Sequence, residues 1–305
     1  MKPEPKPLTL WVLDDGKPGH RNQSLGLVEA LERQAGALIR SVSLPYQTGF
    51  FSRIKKAREQ AQQLPRPDLI IAAGHRTHIP LIYLANQTGA RSVVLMRPSL
   101  PCGWFDHCLI PEHDFTKRDD VPENVILTKG ALNRVTCNPD AKDGSGLFLI
   151  GGESKEFGFD GDALAEAVRQ IESSCPDTKW ALTDSRRTPE GFIERLKDAQ
   201  ISLFPHQQTD ANWLPRQLEA AAVVWVTEDS VSMIYEALSS GARVGLLPLP
   251  RSRKAGRVTR GIESLIEAGF LYRYESWLEN RKMPSNENIL AEAERCAQKL
   301  IECKN

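Results

Sequence analysis

The chain has 305 residues, 41% hydrophobic and 26% charged, with Lys+Arg and Asp+Glu equal at 39 each. That composition belongs to an ordinary folded protein with enough apolar sequence for two cores of roughly 150 residues each. The balanced charge gives no global field for nucleic acid or acidic lipid, so any anion site must be local. The apolar runs are strand-sized, too short for a membrane span of about 20 residues.

Residues 1–7 alternate Lys, Pro and Glu without an apolar stretch, and do not read as a signal peptide. The six cysteines are scattered without a C-x-x-C pair. They predict reduced, mostly buried thiols in a cytoplasmic protein, with neither a zinc site nor a disulfide framework.

Short apolar runs then alternate with helical patterns. Residues 8–13 predict a strand. Leu25, Val28 and Leu31 predict a helix over 24–33 that Gly36 ends. A strand follows over 37–44, a helix over 51–64 and a strand over 68–73. Residues 77–87 form a helix with Pro80 in its first turn, before strands at 92–96, 105–110 and 125–128. A polar stretch over 133–145 reads as a linker. The pattern then restarts with strands at 147–150, 179–182, 201–204, 222–226 and 243–247. Helices are expected over 163–172, 190–196, 263–268 and 288–303, and another after Ser230. The strands are short and nearly all apolar, as in parallel sheets buried on both faces. The expected class is α/β, two doubly wound Rossmann-like domains facing a cleft: residues 1–136, residues 146–285, and a C-terminal helix within 286–305 that packs back on the first domain.

Ligands of such sheets sit beyond the carboxyl ends of the strands, where five turns stand out. In Asp14-Asp15-Gly16-Lys17-Pro18-Gly19-His20, Gly16 and Gly19 let backbone approach a ligand. His20, placed just before a helix, either serves as a general base or merely closes the turn. The turn lacks the dinucleotide fingerprint and the Walker ending, which argues against NAD and ATP. In Gly74-His75-Arg76-Thr77-His78 the histidines offer a metal pair without a third ligand, a substrate contact, or a structural turn.

Gly151-Gly152-Glu153-Ser154 pairs glycines suited to a phosphate with a carboxylate that repels one. Ser185, Arg186 and Arg187, ahead of Thr188-Pro189 at a predicted helix start, are suited to phosphate. Asp229 and Ser230 are good N-cap residues, and Ser230, Ser232 and Glu236 combine a helix N-terminus with a downstream carboxylate for a ribose. An ordinary capped core helix explains the same residues. The basic run from Arg251 to Arg260 is either a phosphate-steering or membrane-surface patch or a solvated loop.

Trp11-Val12-Leu13-Asp14-Asp15-Gly16-Lys17-Pro18-Gly19-His20-Arg21-Asn22-Gln23-Ser24-Leu25-Gly26-Leu27 resembles the opening of the mitochondrial-fission (elongated mitochondria) family and its bacterial relatives. Pro67 to Gly74, Pro111 to Asp114, Ser185 to Pro189 and Asp229 to Met233 fit the same family, so the resemblance spans about residues 10–269. Its plant members are associated with recruiting a dynamin-like fission protein. More distantly, both halves resemble GT-B glycosyltransferases, above all the peptidoglycan N-acetylglucosaminyltransferase. Its Gly-rich turn ending in His is matched by residues 16–20, and its turn and helix with a ribose-binding Glu by residues 230–236. Glu153 and Met233 depart from it, standing where an uncharged residue and a hydroxyl are expected.

The resemblance implies a metal-independent glycosyltransferase. A nucleoside-diphosphate sugar would lie on the second domain, with no cofactor besides that donor, and a phosphate-bearing or lipid-linked acceptor on the first. Nucleic acid is not an expected partner, and the location is cytoplasmic or peripheral at an inner membrane. The alternatives are a nucleotide-sugar epimerase, which needs acid and base carboxylates such as Asp15 and Glu153, and a non-catalytic interaction protein.

Overall fold

The computed structural model describes residues 6–44, 49–115, 121–210, 212–251, 256–283 and 289–303, apart from the side chains of Phe50 and Arg257. The chain divides into two units, residues 1–134 with 291–305, and residues 135–290.

The first unit contains β1 (Leu8–Asp14), α1 (Pro18–Ala35), β2 (Ala37–Ser43), α2 (Phe50–Ala61), β3 (Leu69–Ala73), α3 (His78–Thr88), β4 (Arg91–Leu95), β5 (His107–Pro111) and β6 (Val125–Thr128). The strands form one parallel sheet in the order β2-β1-β3-β4-β5-β6. Every residue of β3 is buried, and alternate residues serve opposite faces. Leu69, Ile71 and Ala73 pack with Leu27, Val28 and Leu31 of α1 on one face. Ile70 and Ala72 pack with Ala57 of α2 and Leu81 of α3 on the other.

The second unit contains β7 (Gly146–Leu149), α4 (Gly161–Ser174), β8 (Trp180–Thr183), β9 (Ile201–Phe204), α5 (Trp213–Ala220), β10 (Val223–Thr227), α6 (Val231–Ser239), β11 (Arg243–Leu247), α7 (Arg257–Glu267), β12 (Leu271–Arg273) and α8 (Tyr274–Asn280). Its parallel sheet runs β12-β11-β10-β7-β8-β9. The last helix, α9 (Glu292–Glu302), returns to the first unit. Cys296, Ala297 and Leu300 enter the core against α1, while Arg33 and Gln34 of α1 bond the Glu294 side chain.

Several elements depart from the sequence reading. α1 begins at Pro18, six residues earlier than its apolar spacing suggests, because proline's fixed φ suits the first helical position. Residues 190–196 hold only a 3-10 turn, Ile193–Leu196. Thr188 does not cap a helix there; its hydroxyl bonds the carbonyls of Ile150 and Gly151. The polar residues expected as a linker pack on the second unit: Lys142 Nζ donates to Leu218 O at 2.8 Å and Asp143 N to Ala220 O at 3.0 Å. The sequence reading did not anticipate α5, β12 or α8. Trp277 of α8 is buried against Trp225 of β10 at 5.6 Å between centroids.

Candidate functional site

Each sheet has one place where strand order reverses, and in each unit the sequence-selected turns border it. In the first sheet β1 lies between β2 and β3, so the turns after β1 and β3 flank the reversal. In the second sheet β7 lies between β8 and β10, with the turns after β7 and β10 beside it. Crevices at such reversals are where doubly wound sheets bind ligands.

In the first unit, Asp14 Oδ1 accepts from Gly16 N at 2.8 Å and Asp15 Oδ1 from Lys17 N at 3.1 Å, which folds the turn tightly. Gly16 takes φ +81°, a region that favours glycine. Gly19 lies inside α1 with open space around it, so nothing there requires glycine. His20 sits in the first turn of α1 rather than ahead of it. Its Nδ1 lies 2.9 Å from Oδ2 of the buried Asp15, which leaves Nε2 as the nitrogen with no hydrogen bond among the described residues. The ring rests on Gly74, where an added Cβ would stand 2.2 Å from His20 Cε1.

A carboxylate beside one imidazole nitrogen fixes the ring and, by accepting a hydrogen bond from Nδ1–H, favours the tautomer with its lone pair on Nε2. His75 is exposed, whereas His78 is buried with Nδ1 3.2 Å from Ser99 Oγ, so the two do not form a ligand pair. Burial, then the charges of His75 and His20, push the His78 pKa down to about 4. Met96, just after β4, has φ +67°, strained for a residue with a side chain. Gln23 Nε2 of α1 reaches its sulfur at 3.4 Å. No local sequence signal marks Met96.

In the second unit the paired glycines serve the protein's own groups. A Cβ on Gly151 would meet Asp229 Oδ1 at 2.2 Å, and one on Gly152 would meet the Arg187 carbonyl at 1.9 Å. The turn's N–H groups are engaged: Gly151 N donates to Thr227 Oγ1 at 2.7 Å and Gly152 N to Asp229 Oδ2 at 3.1 Å. Asp229 and the Arg187 backbone thus fill the side-chain space that Gly151 and Gly152 leave open. Arg187 is also committed. Its Nη2 pairs with Asp229 Oδ2 at 2.6 Å and its Nη1 donates to Glu153 O at 3.1 Å.

The Asp229 side chain is fully buried, and its Oδ1 has no hydrogen-bond partner among the described residues. Glu153 is exposed. Ser185 is half-buried and bonded within its own turn, accepting from Arg187 N at 3.2 Å. Arg186 is exposed and makes no ion pair among the described residues.

Beside this turn, the ladder of α6 begins with Ile234 N donating to Ser230 O at 3.0 Å. The N–H groups of Val231, Ser232 and Met233 precede that bond, at the positive end of the helix. Ser230 stands at the N-cap without a side-chain capping bond, Ser232 is exposed, and Glu236 is half-buried farther along α6.

Two further pairs escaped the sequence reading. Asp184, after β8, accepts from His206 N at 2.7 Å and lies 3.0 Å from His206 Nδ1. β8 and β9 are neighbours, so their distant sequence ends meet. The buried Glu228 accepts from Arg251 Nη2 at 2.7 Å, and Arg251 Nη1 also donates to Glu263 at 2.9 Å. The first arginine of the basic run is thus neutralised; residues 252–255 lie outside the described residues. Among the described residues no group of three or more His, Cys, Asp or Glu side chains is placed to hold a metal, and no helix is long and apolar enough to cross a membrane.

The family described as Mitochondrial fission ELM1 matches residues 18–303, and the chain belongs to it. An uncharacterized protein of Rickettsia prowazekii, RP120, is 26% identical over 298 residues, covering 77% of this chain and 81% of its own. Among solved structures, a Listeria monocytogenes protein assigned as a UDP-N-acetylglucosamine 2-epimerase superposes with a TM-score of 0.61 at 14% identity, over 97% of this chain and 95% of its own. Acinetobacter baumannii MurG superposes with a TM-score of 0.54 at 12% identity, over 97% and 99%. The two parallel-sheet units are those of the GT-B fold.

Proposed function

We propose that this chain is a metal-independent GT-B glycosyltransferase whose donor is a nucleoside-diphosphate sugar. One observation carries the reading: α6 presents three N–H groups before its first helical bond at the reversal point of the second sheet, ahead of Glu236, and Arg186, in the turn whose Arg187 reaches Asp229, makes no ion pair among the described residues. The leaving diphosphate would take those N–H groups and Arg186, and Glu236 would accept from the ribose hydroxyls. Arg187 is withdrawn from this role by Asp229.

On the first unit His20, held by Asp15, would remove the proton from an acceptor hydroxyl through Nε2. The Listeria neighbour's assigned substrate is itself a UDP-sugar, consistent with such a donor. The epimerase reading is less well supported, because Asp15 is engaged by His20 and Glu153 faces solvent.

A second reading, a non-catalytic interaction protein of the fission-family type, is favoured by the filling of the Gly151–Gly152 turn by Asp229. With Asp229 and Arg187 paired to each other there, neither is available to a diphosphate. Thermal unfolding with UDP separates the two. A ligand at 100 times its Kd raises stability by roughly 2.7 kcal/mol; no rise with any nucleoside diphosphate would favour the second reading. Release of UDP in the presence of an acceptor then tests turnover.

A further inference from the structure

The second unit holds a cavity of about 410 Å³ away from the reversal point. Arg243 and Val244, which line it, open β11 and pair with Val223 and Val224, the first residues of β10. The α6 N-terminus follows the other end of β10, so Arg243 and Val244 stand at the opposite end of these strands from the candidate donor site, while Arg273 reaches toward Glu228 just after β10.

The cavity walls are mostly apolar. Val244, Phe270 and Leu271 are buried core residues, and the partly buried Ile266 and Met283 also line the cavity. Among the described residues two arginines line the cavity and no acidic side chain does. They are not equivalent. Arg273 is already matched, its Nη2 donating to Glu263 and its Nη1 lying 3.6 Å from Glu228. Arg243 is half-buried, and its guanidinium has no hydrogen bond or ion pair among the described residues. Tyr272 and Ser276 also line the cavity.

An uncompensated guanidinium at the rim of an apolar hollow calls for one anionic group joined to an apolar body. A nucleoside diphosphate does not suit it: the site offers one unmatched cation for several charges and few partners for a polar base and sugar. An added peptide strand does not suit it either, because the edge strand β12 has only three residues and offers a very short ladder. We propose that this cavity is a second ligand site, independent of the donor site, for a small amphipathic carboxylate. The carboxylate head lies on Arg243 and the apolar body against Val244, Phe270 and Met283.

The test is calorimetric titration of the full chain with sodium decanoate, with 1-decanol as the uncharged comparison. Saturable one-site binding of decanoate is expected. Arg243→Met keeps the apolar bulk and removes the charge, and weakens decanoate by about tenfold or more while leaving decanol unchanged. Ser276→Trp fills the hollow and abolishes both, with its melting curve showing that the unit stays folded. No saturable binding to the parent chain, equal affinity for Arg243→Met, or intact binding in a folded Ser276→Trp overturns the proposal. Saturating UDP leaves the decanoate affinity unchanged, and competition between the two overturns the claim of a separate site.

Discussion

Asp229 occupies the space that Gly151 leaves open: its carboxylate oxygen would stand 2.2 Å from any Cβ at that position. The turn after β10 is thereby locked onto the turn after β7, across the point where strand order reverses. The first unit repeats the arrangement with different chemistry, the His20 ring resting on Gly74. In both sheets a glycine at a strand end receives a side chain from the neighbouring turn. Each such side chain is held by a second group, Arg187 for Asp229 and Asp15 for His20.

Gly151→Ala forces the Asp229 carboxylate out of its place and should destabilise the protein by about 1–3 kcal/mol, the cost of an overpacked core. Urea unfolding measures it. A stability equal to the parent's would mean that the turn yields freely and that Asp229 is not locked there.

The adjacent arginines should behave differently. Arg187→Ala leaves the buried Asp229 without its cation and should cost about 1–3 kcal/mol, less than a fully buried pair because Arg187 is 45% exposed. Arg186→Ala should leave stability within about 0.5 kcal/mol and weaken UDP by about 1.5–3 kcal/mol. Melting curves and UDP titrations on both variants check the contrast. Equal effects on stability would remove the distinction.

On the acceptor side, His20→Ala should lower turnover by about 10²–10⁴-fold with UDP binding retained, since the donor residues belong to the other unit. Gly74→Ala should also lower turnover, because it pushes the ring from Asp15 and places a side chain at φ +90°. Steady-state UDP release is the measurement. Unaltered rates in His20→Ala would leave the imidazole only its turn-closing role.

Acid should weaken the first unit through His78. Its pKa is about 4 in the folded chain against 6.5 ordinarily, so the unfolded chain binds the extra proton between those values. The His78 contribution is complete above about pH 6.5, declines as pH falls and levels off below about pH 4, a loss of at most about 3 kcal/mol. Denaturant titrations of the parent and His78→Leu from pH 7 to pH 4 test this. The variant should lose less stability over that range, and parallel curves would show that other groups govern it.

Much of the layering was legible because buried parallel strands read as short apolar runs. β6, β9 and β11 fall at the expected residues, and the other expected strands within one or two. The short or amphipathic pieces were not legible. β12 has three residues, and α5 and α8 only about two turns each; tertiary packing of Trp213 and Trp277 holds them in place. The start of α1 was misplaced because proline and glycine dominate its first turn.

The sequence by itself determined that two α/β sheets would form and that chemistry-bearing residues would cluster after β1, β3, β7, β8 and β10. Apolar periodicity and turn composition are local properties, readable from neighbours in the chain. Only the tertiary structure decided which of those residues are already engaged. Asp15 with His20 is a local pair, but Asp229 meets Gly151 across 78 positions, and Asp184 meets His206 across 22. The paired strands bring these distant turns side by side. Whether an arginine faces a ligand or a buried carboxylate then depends on contacts that sequence spacing does not encode.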